Sequence, residues 1–144
     1  MSDGLISLNE IEAAYRRVSR ALYRAQEDAL DFIADEIIKV LERDQMIVDA
    51  AFFILIFGQI ENRINTLASG RLSRSEERTA IRGEGFLQRL RTALPGQERV
   101  SLREELEGWY GMLNRAAHGD RLASDYNIAG ILARAVELEA LLAE

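Results

Sequence analysis

The sequence predicts an all-α protein, an antiparallel helical bundle of about five helices with a long N-terminal heptad-patterned helix. Three observations carry this expectation. Apolar residues recur at three- and four-residue steps along most of the chain, no segment shows convincing two-residue alternation, and no proline or glycine interrupts Ser7 to Gln45. A length of 144 residues with 48% apolar and 29% charged residues suits one globular domain with enough core to fold without staples.

The first element is the clearest. Leu8, Ile11, Tyr15, Val18, Leu22, Ala25, Ala29 and Phe32 alternate steps of three and four, a heptad seam of more than three repeats. Ser7 or Asn9 supplies the start, and Glu10 completes a capping-box pattern with Ser7. The expected element is one helix over residues 8–44, about 36 residues and roughly 50 Å long. After Phe32 the stripe widens to Ile33, Ile37, Ile38, Val40 and Leu41, which predicts burial against more than one neighbour. Residues 47–144 then form the core of the bundle. A helix this long exceeds what a bundle of about 100 residues covers, so its N-terminal half is expected to pair with a second subunit. The alternative is packing along its own chain.

A second helix is expected from Gln45 or Ile47 to Ala68, stopped by Gly70. Its first half, Met46 to Phe57, is so apolar that it reads as buried on nearly all sides, whereas Ile60, Ile64 and Leu67 define one apolar face. Gln59, Glu61, Asn62 and Arg63 lie on or beside the polar face, and Glu61 and Asn65 are one turn apart. Between Gly70 and Gly96 two short helices with a break near Gly83 are expected. The first carries an arginine stripe (Arg71, Arg74, Arg78, Arg82) started by Ser73 or Ser75, and reads as a solvated face in view of Glu76, Glu77 and Glu84. The second carries Phe86, Leu87, Leu90 and Leu94.

Leu94-Pro95-Gly96 closes that piece. Ser101, with Glu104 three residues on, is the expected cap of a helix that buries Leu102, Leu106, Trp109, Tyr110 and Leu113 and stops at His118-Gly119. A last helix from Ser124 or Asp125 to the C-terminus buries Ile128, Ile131, Leu132, Ala135, Leu138 and Leu142.

Composition narrows the function classes. Without cysteine there are no disulfides or thiolate metal sites, and one histidine cannot complete a zinc or di-iron set, so no metal or cofactor is expected; the acidic residues Asp28, Asp31 and Asp35 read as a solvated face. No glycine-rich phosphate loop, Gly-x-Ser-x-Gly elbow or His-Glu-x-x-His pair occurs. The net charge of −6 argues against a protein that coats nucleic acid generally. The N-terminus lacks a secretory pattern, and the longest apolar stretch falls well short of the roughly 20 residues that span a bilayer, so no membrane association and a cytoplasmic location are expected.

What remains is the only histidine, in Leu113-Asn114-Arg115-Ala116-Ala117-His118-Gly119-Asp120. Histidine is the side chain best suited to proton transfer near neutral pH. In the last turn of a helix it also acts as a structural cap, bonding free carbonyls and meeting the negative end of the helix dipole. Both readings stay open here. For Trp109 and Tyr110 core packing is expected rather than base stacking.

The stretch Trp109 to Asp120, a helix ending in Asn-x-x-x-His-Gly and followed by one more helix, resembles the HEPN superfamily. That resemblance covers roughly Ile47 to Glu144 and implies an α-helical bundle, commonly dimeric, found in prokaryotic toxin–antitoxin and other defence systems and in RNA-processing proteins. The family motif is an arginine, four to six intervening residues and a histidine. Asn114, Ala117, His118 and Gly119 match the common form, but Leu113 occupies the arginine's expected place and the nearest arginine is Arg115. In active members the motif cleaves RNA without metal: a 2′-hydroxyl loses a proton while the phosphorus gathers negative charge, which a guanidinium answers with forked donors. The resemblance therefore implies Asn114, Arg115 and His118 as site residues, with Arg115 one turn from His118 as the substitute cation. It implies RNA, a second copy of the chain, and an antitoxin or nucleotidyltransferase as partners. If the chain is an enzyme, it is a metal-independent endoribonuclease. The competing expectation is a non-catalytic dimeric helical adaptor.

Overall fold

The first helix, α1 (Leu8–Asp31), begins where the capping pattern places it: the Glu10 backbone N–H donates to Ser7 Oγ at 3.2 Å, and the Ile11 N–H donates to the Ser7 carbonyl at 3.0 Å. The computed structural model describes residues 6–31, 35–70, 85–118 and 127–143. Within them the remaining α-helices are α2 (Asp35–Gly70), α3 (Phe86–Ala93), α4 (Val100–Ala117) and α5 (Ile128–Ala143), with a short 3-10 turn at Gln97–Arg99 before α4. The described residues thus form an all-α bundle of five α-helices with a long N-terminal helix and no strand.

The long helix is shorter than the periodicity suggests. A helix continuous to Gln45 would hold Tyr15 and Gln45 about 45 Å apart, yet Gln45 Nε2 lies 3.4 Å from the Tyr15 hydroxyl. α1 ends at Asp31, and α2 begins at Asp35 and runs back antiparallel to it, passing Gln45 and Ile47 without a break before ending at the expected Gly70. Asp35 and Glu36 open α2, acidic residues where the positive helix end favours them.

The hairpin also changes the partner of the α1 seam. Leu8 and Ile11 are buried in the same core as Phe53 and Ile56, and the Tyr15 ring packs edge-on against Phe52 at 5.2 Å. The seam thus finds its neighbour in α2 of its own chain, because the reversal returns a complementary stripe alongside it. Beyond that junction the two helices form an arm. Among the described residues between Glu12 and Phe52, Ala29 alone is buried. The widened stripe is accordingly not enclosed: Ile38 and Leu41 are half-buried toward the hairpin, while Ile37 and Val40 are exposed. Nor is Met46 to Phe57 buried on all sides, since Phe53, Ile56 and Phe57 enter the core but Ile47, Ile54 and Leu55 face outward.

The core lies where α2 meets α3, α4 and α5. Five aromatic rings anchor it: Phe57 packs against Phe86 (5.1 Å) and Tyr110 (6.3 Å), Phe86 stacks on Tyr110 (5.1 Å), and Phe53 meets Trp109 (5.9 Å). Trp109 and Tyr110 are core residues, as expected. All six apolar positions anticipated on the last helix are buried. Leu87, on the other hand, is exposed, since α3 presents only Phe86, Leu90 and Ala93 to the core.

One helix start differs from its capping pattern. α4 begins at Val100, straight from the 3-10 turn, so Ser101 lies inside the helix and Arg99 stands at the cap position without a side-chain bond. The described part of the last helix starts at Ile128, where Asn127 Oδ1 accepts the Gly130 N–H at 2.6 Å. The turn between α3 and α4 uses Gly96 at φ +100°, a conformation that glycine adopts freely. Arg103 clasps this turn from α4 through two bonds from Nη1, to the Leu94 carbonyl and to the Gly96 carbonyl at 2.9 Å. Arg134 of α5 grips Glu105 of α4 through a two-pronged contact, Nε and Nη2 each 2.7 Å from a carboxylate oxygen. The arginine stripe over residues 71–82 and the Ser124 or Asp125 start lie outside the described residues.

Candidate functional site

The candidate site sits at the C-terminal turn of α4, and helix geometry decides which side chains it presents. Leu106, Trp109, Met112 and Ala116 are the buried face of α4. At 100° per residue, Asn114, Arg115 and His118 fall on the opposite side, together with Glu104, Glu107 and Gly111, and all six are exposed. The helical ladder extends through His118: its backbone N–H donates to the Asn114 carbonyl at 3.1 Å, and φ −92°, ψ 8° end the helix there. The three implied residues are therefore held one turn apart on one solvent-facing surface.

Leu113 behaves differently. It is partly buried and packed against the core cluster. The position at which the HEPN pattern has arginine is thus turned toward the hydrophobic interior, and among the described residues of this turn the cation is Arg115. Arg115 is also the basic residue of the last turn, placed favourably at the negative helix end.

The side chains of Asn114, Arg115 and His118 make no hydrogen bond or ion pair with another described residue. His118 in particular does not use its ring to satisfy the last carbonyls of α4 among the described residues. Its backbone, not its imidazole, forms the cap. Gly119, the expected stop, lies outside the described residues. Among the described residues nothing engages this proton-transfer group, forked cation and amide. Glu104 and Glu107 on the same face weaken their attraction for phosphate.

A second polar cluster was not anticipated from the sequence. Between α1 and α2 the Tyr15 hydroxyl donates to Asp49 Oδ1 at 2.7 Å, and Gln45 Nε2 donates to the same oxygen at 2.8 Å. Burial, reinforced by the Asp49 carboxyl, pushes the Tyr15 phenol up to about 12. Ser19 follows one turn later, and its Oγ, though close to the phenol, is buried without a well-formed hydrogen bond. The signal available in the sequence was Asp49 itself, a lone acid inside an apolar run, which requires a polar partner when it packs.

Near this cluster a cavity of about 410 Å³ lies between α1 and α5, lined by Tyr15, Arg16, Ser19 and Arg20 on one side and by Ala129, Leu132 and Ala133 on the other. Arg16 is already paired with Glu12 there at 2.5 Å. Among the described residues no group of acidic or histidine side chains is arranged to hold a metal ion, and no helix is long and apolar enough to cross a membrane. Compared with known proteins, the chain matches no family model, no curated protein and no solved structure.

Proposed function

We propose that this chain is a HEPN-like, RNA-directed protein of a prokaryotic toxin–antitoxin or defence system, in a degenerate form whose metal-independent ribonuclease activity is weak or lost. The observation that carries the reading is the joint exposure of Asn114, Arg115 and His118 on one side of the last turn of α4. Exposed histidine and arginine one turn apart supply the two groups that phosphodiester cleavage demands, a proton carrier and a forked cation. The inward-facing Leu113 accounts for the degeneracy, since leucine answers no phosphate charge. On this reading the protein is cytoplasmic and homodimeric, two such faces meet across a shared groove, and an antitoxin or nucleotidyltransferase restrains it.

The test is incubation of the purified protein with total RNA in EDTA, beside His118→Ala and Arg115→Ala variants, with both cleavage and retention of RNA recorded. Slow cutting or retention by wild type that both variants lose supports the reading. RNA left intact and unbound by wild type removes it.

A second reading is favoured by a different observation. The α1–α2 arm carries exposed apolar side chains, including Tyr23, Leu30, Ile37 and Ile47, as expected of a non-catalytic dimeric helical adaptor that works through self-association. An RNA-inert protein that still self-associates points to the adaptor.

A further inference from the structure

α1 carries a run of positive charge on its outer side. From Ala13 to Gln26 there are four arginines and no acidic residue, in a protein whose net charge is −6. Arg16, Arg20 and Arg24 recur every fourth residue, roughly 6 Å apart along the axis, and Arg17 lies beside them. At 100° per residue all four fall within an arc of about 100°, on the side of α1 away from the seam that packs on α2, and all four are exposed. Arg16 is paired with Glu12. Arg17, Arg20 and Arg24 make no hydrogen bond or ion pair with another described residue. Like charges one turn apart destabilise the helix that carries them, and an anion laid along the row relieves that repulsion.

The cavity between α1 and α5 adjoins this row and is an independent observation. Its volume of about 410 Å³ falls among small-molecule sites. The space exists because the facing positions are short: α5 turns Ala129 and Ala133 toward α1, and α1 turns Ser19 toward α5. Leu132, which is buried, and Tyr15 give it an apolar lining, while Arg16 and Arg20 bring charge to its edge. An apolar recess with cations at its edge recognises a flat apolar body that carries an anionic group. Arg17 and Arg24 narrow the class further. They lie outside the cavity lining and extend the positive row beyond it, where one small anion held in the cavity does not reach but successive phosphates of a chain do.

We infer that the cavity between α1 and α5 receives one base of a single-stranded RNA, with Arg20 on the phosphate of that nucleotide and Arg17 and Arg24 on the phosphates beside it. This inference rests on the RNA-directed reading above and adds to the end of α4 a second contact surface, built from α1 and α5. Guanidinium forks suit phosphate oxygens, and a base set against Tyr15 and Leu132 leaves water for an apolar surround. Glu12, on the same edge, is answered by Arg16 and so sets no unpaired carboxylate against the strand.

The test is equilibrium binding, in EDTA, of a short fluorescent single-stranded RNA and, separately, of adenosine 5′-monophosphate. Ala133→Phe fills the recess without changing charge, and Arg20→Gln/Arg24→Gln removes two cations of the row; each is expected to weaken RNA binding at least tenfold with an unchanged circular-dichroism spectrum. Arg63→Gln/Arg91→Gln removes the same charge elsewhere and is expected to weaken it by less than about threefold. Irradiated RNA carrying 5-iodouridine is expected to cross-link wild type at Tyr15, a readout that needs no variant. RNA binding that falls in Asn114→Ala/Arg115→Ala/His118→Ala, but responds to the α1 and α5 substitutions no more than to the control pair, leaves the RNA-directed reading standing and overturns this site. Cross-links confined to other helices overturn it likewise. Wild type that binds the mononucleotide through these residues but no RNA overturns the strand and assigns the cavity to a free nucleotide. Wild type that binds neither overturns the site and the RNA-directed reading together.

Discussion

The Tyr15 hydroxyl donates a 2.7 Å hydrogen bond to Asp49, 34 residues further along the chain. That bond sets the register of α1 against α2. It also has a pH signature. With its pKa raised from 10.0 to about 12 by burial and by the Asp49 carboxyl, the Tyr15 phenol contributes stability that is complete below pH 10 and is lost as pH rises toward 12. Tyr15→Phe should cost about 1–2 kcal/mol at pH 8. The gap between the two proteins should close between pH 10 and 12, as followed by urea melts at each pH. A gap that stays constant over that window contradicts the assigned role of the phenol.

Helix starts offer a paired comparison. Asn127 caps α5 through its side chain, whereas Ser101 lies exposed inside α4. Asn127→Ala should lose about 1 kcal/mol and Ser101→Ala less than about 0.5 kcal/mol. The reverse order in thermal melts would restore the capping-box reading of Ser101.

Phe57 joins α2 to α3 and α4 through its packing on Phe86 and Tyr110 and is fully enclosed. Phe57→Ala should destabilise the fold by about 3–5 kcal/mol. Ile54→Ala, on the exposed side of the same helix, should change the stability of the isolated subunit by less than about 1 kcal/mol. Equal effects in chemical denaturation at low protein concentration would show that the two faces of α2 are assigned wrongly.

These contrasts show what was legible in the sequence. The helical class, the end of α2 at Gly70, the core face of α5 and the end of α4 at His118 followed from periodicity and glycine, because each burial face is a simple stripe. The break between Asp31 and Asp35 did not. The heptad of α1 passes through Ala29 to Phe32, and Ile37, Ile38, Val40 and Leu41 continue an apolar pattern, with no proline or glycine between. Asp35-Glu36, an acidic pair opening a helix, was the available cue. Two separate stripes on α2, one facing α1 and the core and one facing outward, together read as a helix buried on all sides. The sequence offered Asn114, Arg115 and His118 as candidates, and their shared exposed face and the inward turn of Leu113 required the fold.

Leu113→Arg asks whether the missing arginine explains the degeneracy. The substitution places a cation directly before Asn114, at the spacing of the HEPN pattern. Since Leu113 is only partly buried, the aliphatic part of arginine can lie along the core edge, at a cost of about 1–2 kcal/mol. RNA cleavage in EDTA should rise at least tenfold over wild type and vanish in Leu113→Arg/His118→Ala. A folded variant with no gain argues that the octapeptide is not a cleavage motif.

The central claim, that the exposed end of α4 faces RNA, is tested most directly by equilibrium binding of a labelled single-stranded RNA across a salt series. Wild type should bind with a dissociation constant that rises with salt. Asn114→Ala/Arg115→Ala/His118→Ala should bind at least tenfold more weakly, with a log–log salt slope shallower by about 0.7 for each phosphate that the variant no longer neutralises. Binding that is absent in wild type, or identical in the triple variant, contradicts the account.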